Sequence, residues 1–327
     1  MLHRFSQFVA GCTVLLILAG SFVTSTESGL SVPDWPTTYG WNMFTFPPSK
    51  WVGGIFYEHG HRLIASSVGF LTIILAAWLA RREDRRWMKW LGAAALGAVI
   101  AQGVLGGLTV LFFLPAAIST AHAALAEIFF CLVVAIALFT SPGWKQATAN
   151  DVVDDSTLRR LATLTTCLVF TQILIGATMR HTGAGLAIPD FPLMFGRLWP
   201  PFWDAKIAVH FAHRAGAVVV ATAILITSIR TVARHRQRRE LARPALGLIG
   251  LVAIQLTLGA LTVLSHRDVL INSLHVVGGA LVLTTSLVLT LRCWRGRFGL
   301  ATRIVANAAA HVGEVGGGPG NVRTTYA

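Results

Sequence analysis

The sequence contains the stretch Thr26-Glu-Ser-Gly-Leu-Ser-Val-Pro-Asp-Trp-Pro36 and, 156 residues later, the related stretch Thr182-Gly-Ala-Gly-Leu-Ala-Ile-Pro-Asp-Phe-Pro192, with six of eleven positions identical. A second pair, Gln102–Leu111 and Gln255–Leu264, is identical at seven of ten positions with an offset of 153. Matches at a nearly constant offset indicate an internal duplication. We therefore expect a fold made of two similar halves.

The composition places both halves in a membrane. Of 327 residues, 54% are hydrophobic and only 13% are charged, and the mean hydropathy is +0.64. A soluble domain usually carries about a quarter charged residues, so an ordinary globular enzyme is disfavoured. Eight apolar windows approach or exceed the roughly 20 residues that cross a hydrocarbon core: 8–26, 55–80, 89–112, 117–140, 159–180, 206–230, 244–265 and 270–291. The predicted fold class is all-α integral membrane, with four transmembrane helices in each half.

The charges between these windows indicate the orientation. With 27 Lys+Arg against 14 Asp+Glu, the formal net charge is +13. Twenty of the 27 basic residues fall on one side of the membrane, and basic connections are typical of the cytoplasmic side. We therefore predict a multi-pass protein of the cytoplasmic (inner) membrane, with both termini cytoplasmic and loops 27–54 and 181–205 outside. This topology accounts for the charge without a nucleic-acid partner.

The two halves are expected to have the same orientation, because each contains four spans, an even number. This predicts a parallel repeat, unlike the inverted repeats of many secondary transporters. We expect two four-helix bundles, at 1–140 and 159–292, joined by a cytoplasmic linker at 141–158. Residues 293–327 are expected to form a disordered cytoplasmic tail.

Four histidines occupy the same depth in the predicted bundles. His61, His122, His213 and His275 each lie in the first turns of a helix that starts at the outer face. A polar residue within a span is costly and usually has a partner or a function. Two imidazoles that face each other in one bundle can ligate haem iron from both sides, which would place the metal sites near the outer face. Satisfied core histidines are the alternative, and a zinc site would usually add Cys or carboxylate ligands.

The motif Glu58-His-Gly-His61 distinguishes the first half, because its counterpart is His210-Phe-Ala-His213. At the i, i+3 spacing Glu58 lies on the same helical face as His61, which directs it towards the same pocket. A carboxylate there can move protons, stabilise a cationic intermediate or hold a water, and a salt bridge at the helix end is the alternative. The asymmetry predicts that one half is catalytic and that the other holds a cofactor.

Arg62 and Arg214 directly follow two of these histidines. Both guanidinium groups are expected to point to the membrane interface. There they can pair with haem propionates, and contact with lipid phosphates is an equal alternative.

Taken together, these elements resemble the heme A synthase family, membrane enzymes that convert heme O to heme A for terminal oxidases. The resemblance covers about residues 8–292. It rests on the eight spans, the duplicated Gly-Leu-x-x-Pro-Asp-[Trp/Phe]-Pro loop, the Glu58-x-x-His61-Arg62 motif, the pair His213-Arg214, and the lone His122 and His275.

The resemblance implies a division of roles between the halves. Substrate heme O would bind between His61 and His122, with Glu58 essential for the chemistry, and a haem b cofactor would bind between His213 and His275. The implied reaction oxidises a porphyrin methyl group to a formyl group through hydroxylated intermediates, as a step in cytochrome oxidase assembly. The implied partners are heme O, delivered by a heme O synthase, an electron partner that the sequence does not name, and the lipid bilayer. The sequence is also compatible with a homo-oligomer.

Two features depart from the family pattern. Many family members carry a Cys pair in the first outer loop, whereas residues 27–54 contain no Cys. The family also tends to have Arg just before the first loop motif, where this chain reads Val23-Thr24-Ser25-Thr26, although the second half keeps Met179-Arg180-His181-Thr182. The sequence does not say what replaces either feature.

Two other functions are compatible with the histidines. A di-haem b-type electron-transfer cytochrome would use two bis-histidine haems, but it would normally stack them at different depths. A haem transporter is disfavoured by the parallel repeat and by an expected lack of ionisable residues through the helix centres.

Overall fold

Eight long helices dominate the computed structural model, which describes residues 1–146 and 152–298. In chain order they are α1 (Leu2–Ser25), α2 (Gly54–Arg82), α3 (Arg86–Leu111), α4 (Ala116–Thr140), α5 (Ser156–His181), α6 (Ala205–His235), α7 (Arg239–Leu264) and α8 (Val269–Cys293). All eight are long and apolar enough to cross a membrane. The predicted all-α, multi-pass fold with eight spans is confirmed.

The helices pack in two groups of four. In the first group α1 contacts α2, α2 contacts α3, α3 contacts α4, and α4 closes the group against α1; α5–α8 repeat this pattern. Each group buries its own hydrophobic core. The groups meet through α4, which contacts α5 and α8, and through α1, which contacts α8. Consistent with this central position, α4 and α8 are the most buried of the eight helices.

The middle of α4 corrects one sequence expectation. Glu127 is the twelfth of the 25 residues in this helix, so an ionisable group does occupy a helix centre. It is only 5% exposed, and its Oε2 atom has no hydrogen-bond partner among the described residues. The expectation was wrong because a single carboxyl does not interrupt an apolar window of 18 residues or more.

The segment between the halves is partly described. Residues Pro142–Lys145 form one helical turn, capped by the Ser141 side chain, and residues 147–151 lie outside the described chain. Asp155 caps α5 by accepting from the Leu158 N–H at 2.9 Å. Burial alone would raise the pKa of the Asp155 carboxyl, but hydrogen bonds, chiefly from Arg230, outweigh burial and lower the pKa to about 2.

The predicted tail begins with a short described segment. Residues Arg295–Arg297 form a 3₁₀ turn, and the Phe298 ring lies 5.1 Å from the Phe139 ring at the end of α4. The rest of the predicted disordered tail, from residue 299 onward, lies outside the described residues.

Candidate functional site

The four predicted ligand histidines occupy equivalent places in four helices. Each is the seventh to ninth residue of α2, α4, α6 or α8, near the end predicted to face outward. Each ring also lies against a glycine of the preceding helix. A methyl group added to that glycine would lie 2.9 Å (Gly20 to His61), 3.3 Å (Gly106 to His122), 2.9 Å (Gly176 to His213) or 3.1 Å (Gly259 to His275) from the ring Cε1 atom. The absence of a side chain at these glycines therefore lets each imidazole pack directly on a neighbouring backbone.

The geometry of the second pair fits an iron atom between two rings. The ring centres of His213 and His275 are 6.3 Å apart, and the ring planes are inclined at 77°. Two metal–imidazole bonds of about 2.0–2.1 Å, together with half of each ring, place two ring centres roughly 6 Å apart. The separation is therefore suited to axial ligation from both sides.

Three of the four histidines have a ring nitrogen without a partner among the described residues. The Nδ1 atoms of His61, His122 and His275 are buried and have no hydrogen-bond partner within the described chain. Buried polar groups are nearly always paired, so each such atom needs an explanation. The chemistry of the donor set, two imidazoles at equivalent places in each half, fits a haem in each position.

Glu58 is held by its own helix and by the first outer loop. One carboxylate oxygen forms an ion pair with Arg62 at 2.6 Å, and the other accepts from the Val32 N–H at 2.8 Å. The side chain is buried, with 3% of its surface exposed. The salt bridge that was the alternative interpretation is thus present, and no hydrogen bond joins Glu58 to His61 in the described structure. A role for Glu58 in the chemistry stays a prediction.

The two arginines that follow ligand histidines bind the outer loop of their own half. Arg62 donates to the carbonyls of Val32 (2.9 Å), Asp34 (2.7 Å) and Thr37 (3.1 Å), and Arg214 to those of Ile188 (3.1 Å), Asp190 (2.7 Å) and Leu193 (2.9 Å). Each guanidinium therefore fastens a loop to the helix that carries the histidine. Contact with haem propionates stays a prediction for both.

The repeated Pro-Asp-x-Pro motif builds a turn in each loop. Asp34 accepts from the N–H groups of Tyr39 and Gly40, and Asp190 accepts in the same way from the residues at 195 and 196. The turn has positive φ at two successive residues, Tyr39 (+51°) and Gly40 (+75°) in the first loop and Phe195 (+58°) and Gly196 (+73°) in the second, and glycine adopts this conformation without strain. The hydrogen bond from the Gly196 N–H, and to a lesser extent that from the Phe195 N–H, lowers the pKa of the Asp190 carboxyl. The conserved spacing within the repeat is thus explained by a folded loop.

His210 was not singled out in the sequence for a role of its own. It occupies the place of Glu58: its Nδ1 lies 3.2 Å from the Ile188 N–H donor and its Nε2 lies 3.1 Å from Arg214 Nε. A neutral imidazole can accept at only one nitrogen, whereas a carboxylate can accept at both oxygens. The second half therefore anchors its loop less well than the first.

Arg180, which has no counterpart in the first half, joins the two halves. It donates to the Ser21 carbonyl and to Ser25 Oγ of α1, both at 2.8 Å. Ser25 Oγ also lies 3.1 Å from Ser273 Oγ of α8. The structure thus uses the unmatched arginine to tie α1 to α5 near the predicted outer face.

Comparison with known proteins adds an independent finding. The family COX15-CtaA, described as cytochrome oxidase assembly protein, matches residues 3–287. A heme A synthase of Symbiobacterium thermophilum is 31% identical over 268 residues, which cover 80% of this chain and 85% of that protein. Heme A synthases of Halalkalibacterium halodurans (28% identical, 83% of this chain and 90% of that protein) and of Caulobacter sp. strain K31 (29%, 88% and 94%) are also similar. The similarity extends over nearly all the transmembrane region.

Proposed function

The chain belongs to the COX15-CtaA family of cytochrome oxidase assembly proteins, and from that premise we propose that it is a heme A synthase. It is a membrane oxidoreductase that converts heme O to heme A. The observation that carries this conclusion is the placement of four histidines, two per half, within the region that the family covers. The electron-transfer cytochrome and the haem transporter find no support among these relatives.

Each half has its own role in the proposal. The second half, 159–292, holds haem b between His213 and His275, supported by their 6.3 Å ring separation. The first half, 1–140, binds heme O between His61 and His122, supported by their equivalent places in α2 and α4 and by their matching contacts with glycine. Bound haem b would supply one-electron redox chemistry next to the substrate half.

The protein residues of the first half orient the substrate and handle protons. Conversion of a methyl to a formyl group takes two successive two-electron oxidations and adds one oxygen atom. With water as the oxygen source, R–CH₃ + H₂O gives R–CHO, four protons and four electrons, and the electron partner accepts the electrons. His61 and His122 fix the position of the porphyrin, and Glu58 is the nearest carboxylate along α2, one turn before His61. Its ion pair with Arg62 keeps a charged acceptor in a buried setting, ready to take a proton that leaves the substrate.

The proposed setting follows the charge pattern. The protein is a multi-pass membrane protein, and we place it in the inner membrane with its haem sites near the outer face because its basic connections favour a cytoplasmic location. Heme O reaches it from a heme O synthase, and an electron partner of unassigned identity removes or supplies electrons. Arg62 and Arg214 are candidate propionate partners, each through the single N–H that its other bonds leave: Nε of Arg62 and one Nη1–H of Arg214.

The proposal is tested by extracting haems from cells supplied with heme O, with and without this protein, and separating them by chromatography. We expect heme A only when the protein is present. The purified protein should retain a low-spin b-type haem in His61→Ala and lose it in His213→Ala or His275→Ala. The reverse pattern would overturn the assignment of halves, and absence of heme A would overturn the enzymatic function.

Glu58 is tested separately. Glu58→Gln should leave haem content near the wild-type level and abolish heme A formation, because the amide oxygen can still accept from one of the two groups that Glu58 binds but the amide cannot take a proton. Full activity in this variant would reduce Glu58 to an anchor for the first outer loop.

A further inference from the structure

Three of the four ligand histidines face a glutamine on the preceding helix. The glutamine comes four residues before the glycine that contacts the histidine, so both lie on one face of that helix. The amide nitrogen donates to the main-chain carbonyl of the histidine: Gln102 to His122 at 3.0 Å, Gln172 to His213 at 2.7 Å and Gln255 to His275 at 2.8 Å. One glutamine thus holds each of these histidines at its main chain.

The same pairs leave complementary polar atoms without partners. The amide oxygens of all three glutamines are buried and lack a hydrogen-bond partner in the described part of the chain. The Nδ1 atoms of His122 and His275 are also buried and lack a partner in that part of the chain. In the remaining pair the Gln172 amide nitrogen already lies 3.0 Å from His213 Nδ1. A half-turn of the amide presents its oxygen to the ring and exchanges the bond to the main-chain carbonyl for one from Nδ1–H.

Metal ligation makes use of such an acceptor. A histidine that binds a metal through Nε2 carries its proton on Nδ1 and usually donates it to a carboxylate, a carbonyl or water. This hydrogen bond fixes the ring orientation and the tautomer, and it makes the imidazole a stronger ligand. An amide oxygen beside Nδ1 can perform the same task.

His61 is the exception among the four histidines. The residue four positions before its glycine contact, Gly20, is Leu16, which has no acceptor atom. The Nδ1 atom of His61 is buried without a partner in the described structure. His61 thus lacks the glutamine that the other three histidines have.

Two glycines in the second half make room for the amides. A methyl group at Gly216 would lie 2.1 Å from Gln172 Oε1, and one at Gly278 would lie 2.2 Å from Gln255 Oε1. Each of these glycines comes three residues after the ligand histidine, a position that Leu125 occupies in α4 of the first half. In the second half, α6 and α8 therefore each provide a glycine that makes room for the glutamine of the neighbouring helix.

We propose that Gln102, Gln172 and Gln255 are positioning residues that accept the Nδ1–H of an iron ligand, and that Leu16 leaves His61 as the weaker ligand of the substrate haem. The inference rests on the haem assignment above. It gives a physical reason for the difference between the halves. Haem b, which stays bound, has a glutamine beside both of its ligands, whereas heme O, whose product must leave, has a glutamine beside only one.

The test compares two substitutions of Gln255 by redox titration of the purified haem b protein. Gln255→Leu removes the acceptor, and we expect the ferrous-to-ferric ratio at a fixed potential to rise about tenfold, which is 59 mV for a one-electron couple. Gln255→Glu cannot donate to the His275 carbonyl but accepts more strongly from Nδ1–H, so the ratio should fall. Thr257→Val, an exposed position on the same helix, is the matched control and should leave the ratio unchanged.

A second measurement follows haem transfer to apomyoglobin. Gln255→Leu should lose haem b roughly 10- to 100-fold faster, the usual cost of removing such a partner. Leu16→Gln adds the missing acceptor and should slow release of heme A from the first half about tenfold.

The outcomes separate the two proposals. If Gln255→Leu and Gln255→Glu shift the ratio in the same direction, or leave it unchanged, the glutamine only holds the main chain and this inference fails. Unaltered release of heme A from Leu16→Gln contradicts the assignment of His61 as the weaker ligand. If His275→Ala still retains haem b, the haem assignment itself fails.

Discussion

The contact between Gly176 and His213 allows a quantitative prediction. An added methyl at Gly176 would lie 2.9 Å from Cε1 of the ring and 3.2 Å from Nδ1. Carbon atoms rest at about 3.5–4.0 Å, so Gly176→Ala must displace the ring by at least about 0.6 Å. The ring cannot retreat freely, because Gln172 binds the His213 carbonyl at 2.7 Å and lies 3.0 Å from Nδ1. Ligand distances at metal sites tolerate only about 0.2 Å, so this displacement would disturb the proposed bond between His213 and haem iron.

The expected cost is that of overpacking, about 1–3 kcal/mol. At 1.4 kcal/mol per factor of ten, haem b affinity should fall by roughly 5- to 150-fold. Haem content per protein and the rate of transfer to apomyoglobin measure this change. Gly250→Ala on α7 is the control, since nothing in the described structure lies within 4 Å of the added methyl. Wild-type retention in Gly176→Ala, or equal loss in Gly250→Ala, would refute the reasoning.

Three further substitutions are expected to change thermal stability in detergent. His210→Glu should raise the unfolding midpoint by roughly 2–4 °C, because a carboxylate can accept from both the loop and Arg214; a lower midpoint would show that the imidazole is already satisfied. Glu127→Leu should also raise the midpoint, since the two side chains have similar volumes and the change removes a buried carboxyl whose Oε2 atom is unpaired in the described chain; a lower midpoint would reveal a partner. Asp155→Asn should lower the midpoint at neutral pH through loss of the Arg230 pair. Because the folded pKa of Asp155 is depressed to about 2, this difference should disappear as pH falls from about 4 towards 2; a pH-independent difference would contradict the assignment.

Much of the architecture was accessible from sequence because its signals are local. Runs of apolar residues located the eight helices, and the offset between repeats brought His61 into register with His213. The glycine contacts of both rings follow from this register, although the sequence alone did not reveal them.

The polar partners were not accessible because they depend on contacts between helices and loops. The positions of Glu58 and Arg62 suggested a haem pocket, yet both side chains also bind the first outer loop. Gln172 and Gln255 were visible in the repeat or near it, but only the packing of adjacent helices places them opposite histidines. Glu127 escaped notice because average hydropathy conceals a single charge.

The bonds that Arg62 makes to the first outer loop bear on how heme O reaches its site. If the site were to open towards the aqueous phase, three carbonyl groups of the loop would have to separate from the Arg62 guanidinium. At about 1.5–3 kcal/mol for each bond to a charged group, release costs roughly 5–9 kcal/mol. The open form would then be present about once in 10³ to 10⁶ molecules. A haem with an isoprenoid tail is already dissolved in the bilayer, and the closed loop thus favours a sideways route from lipid between the helices.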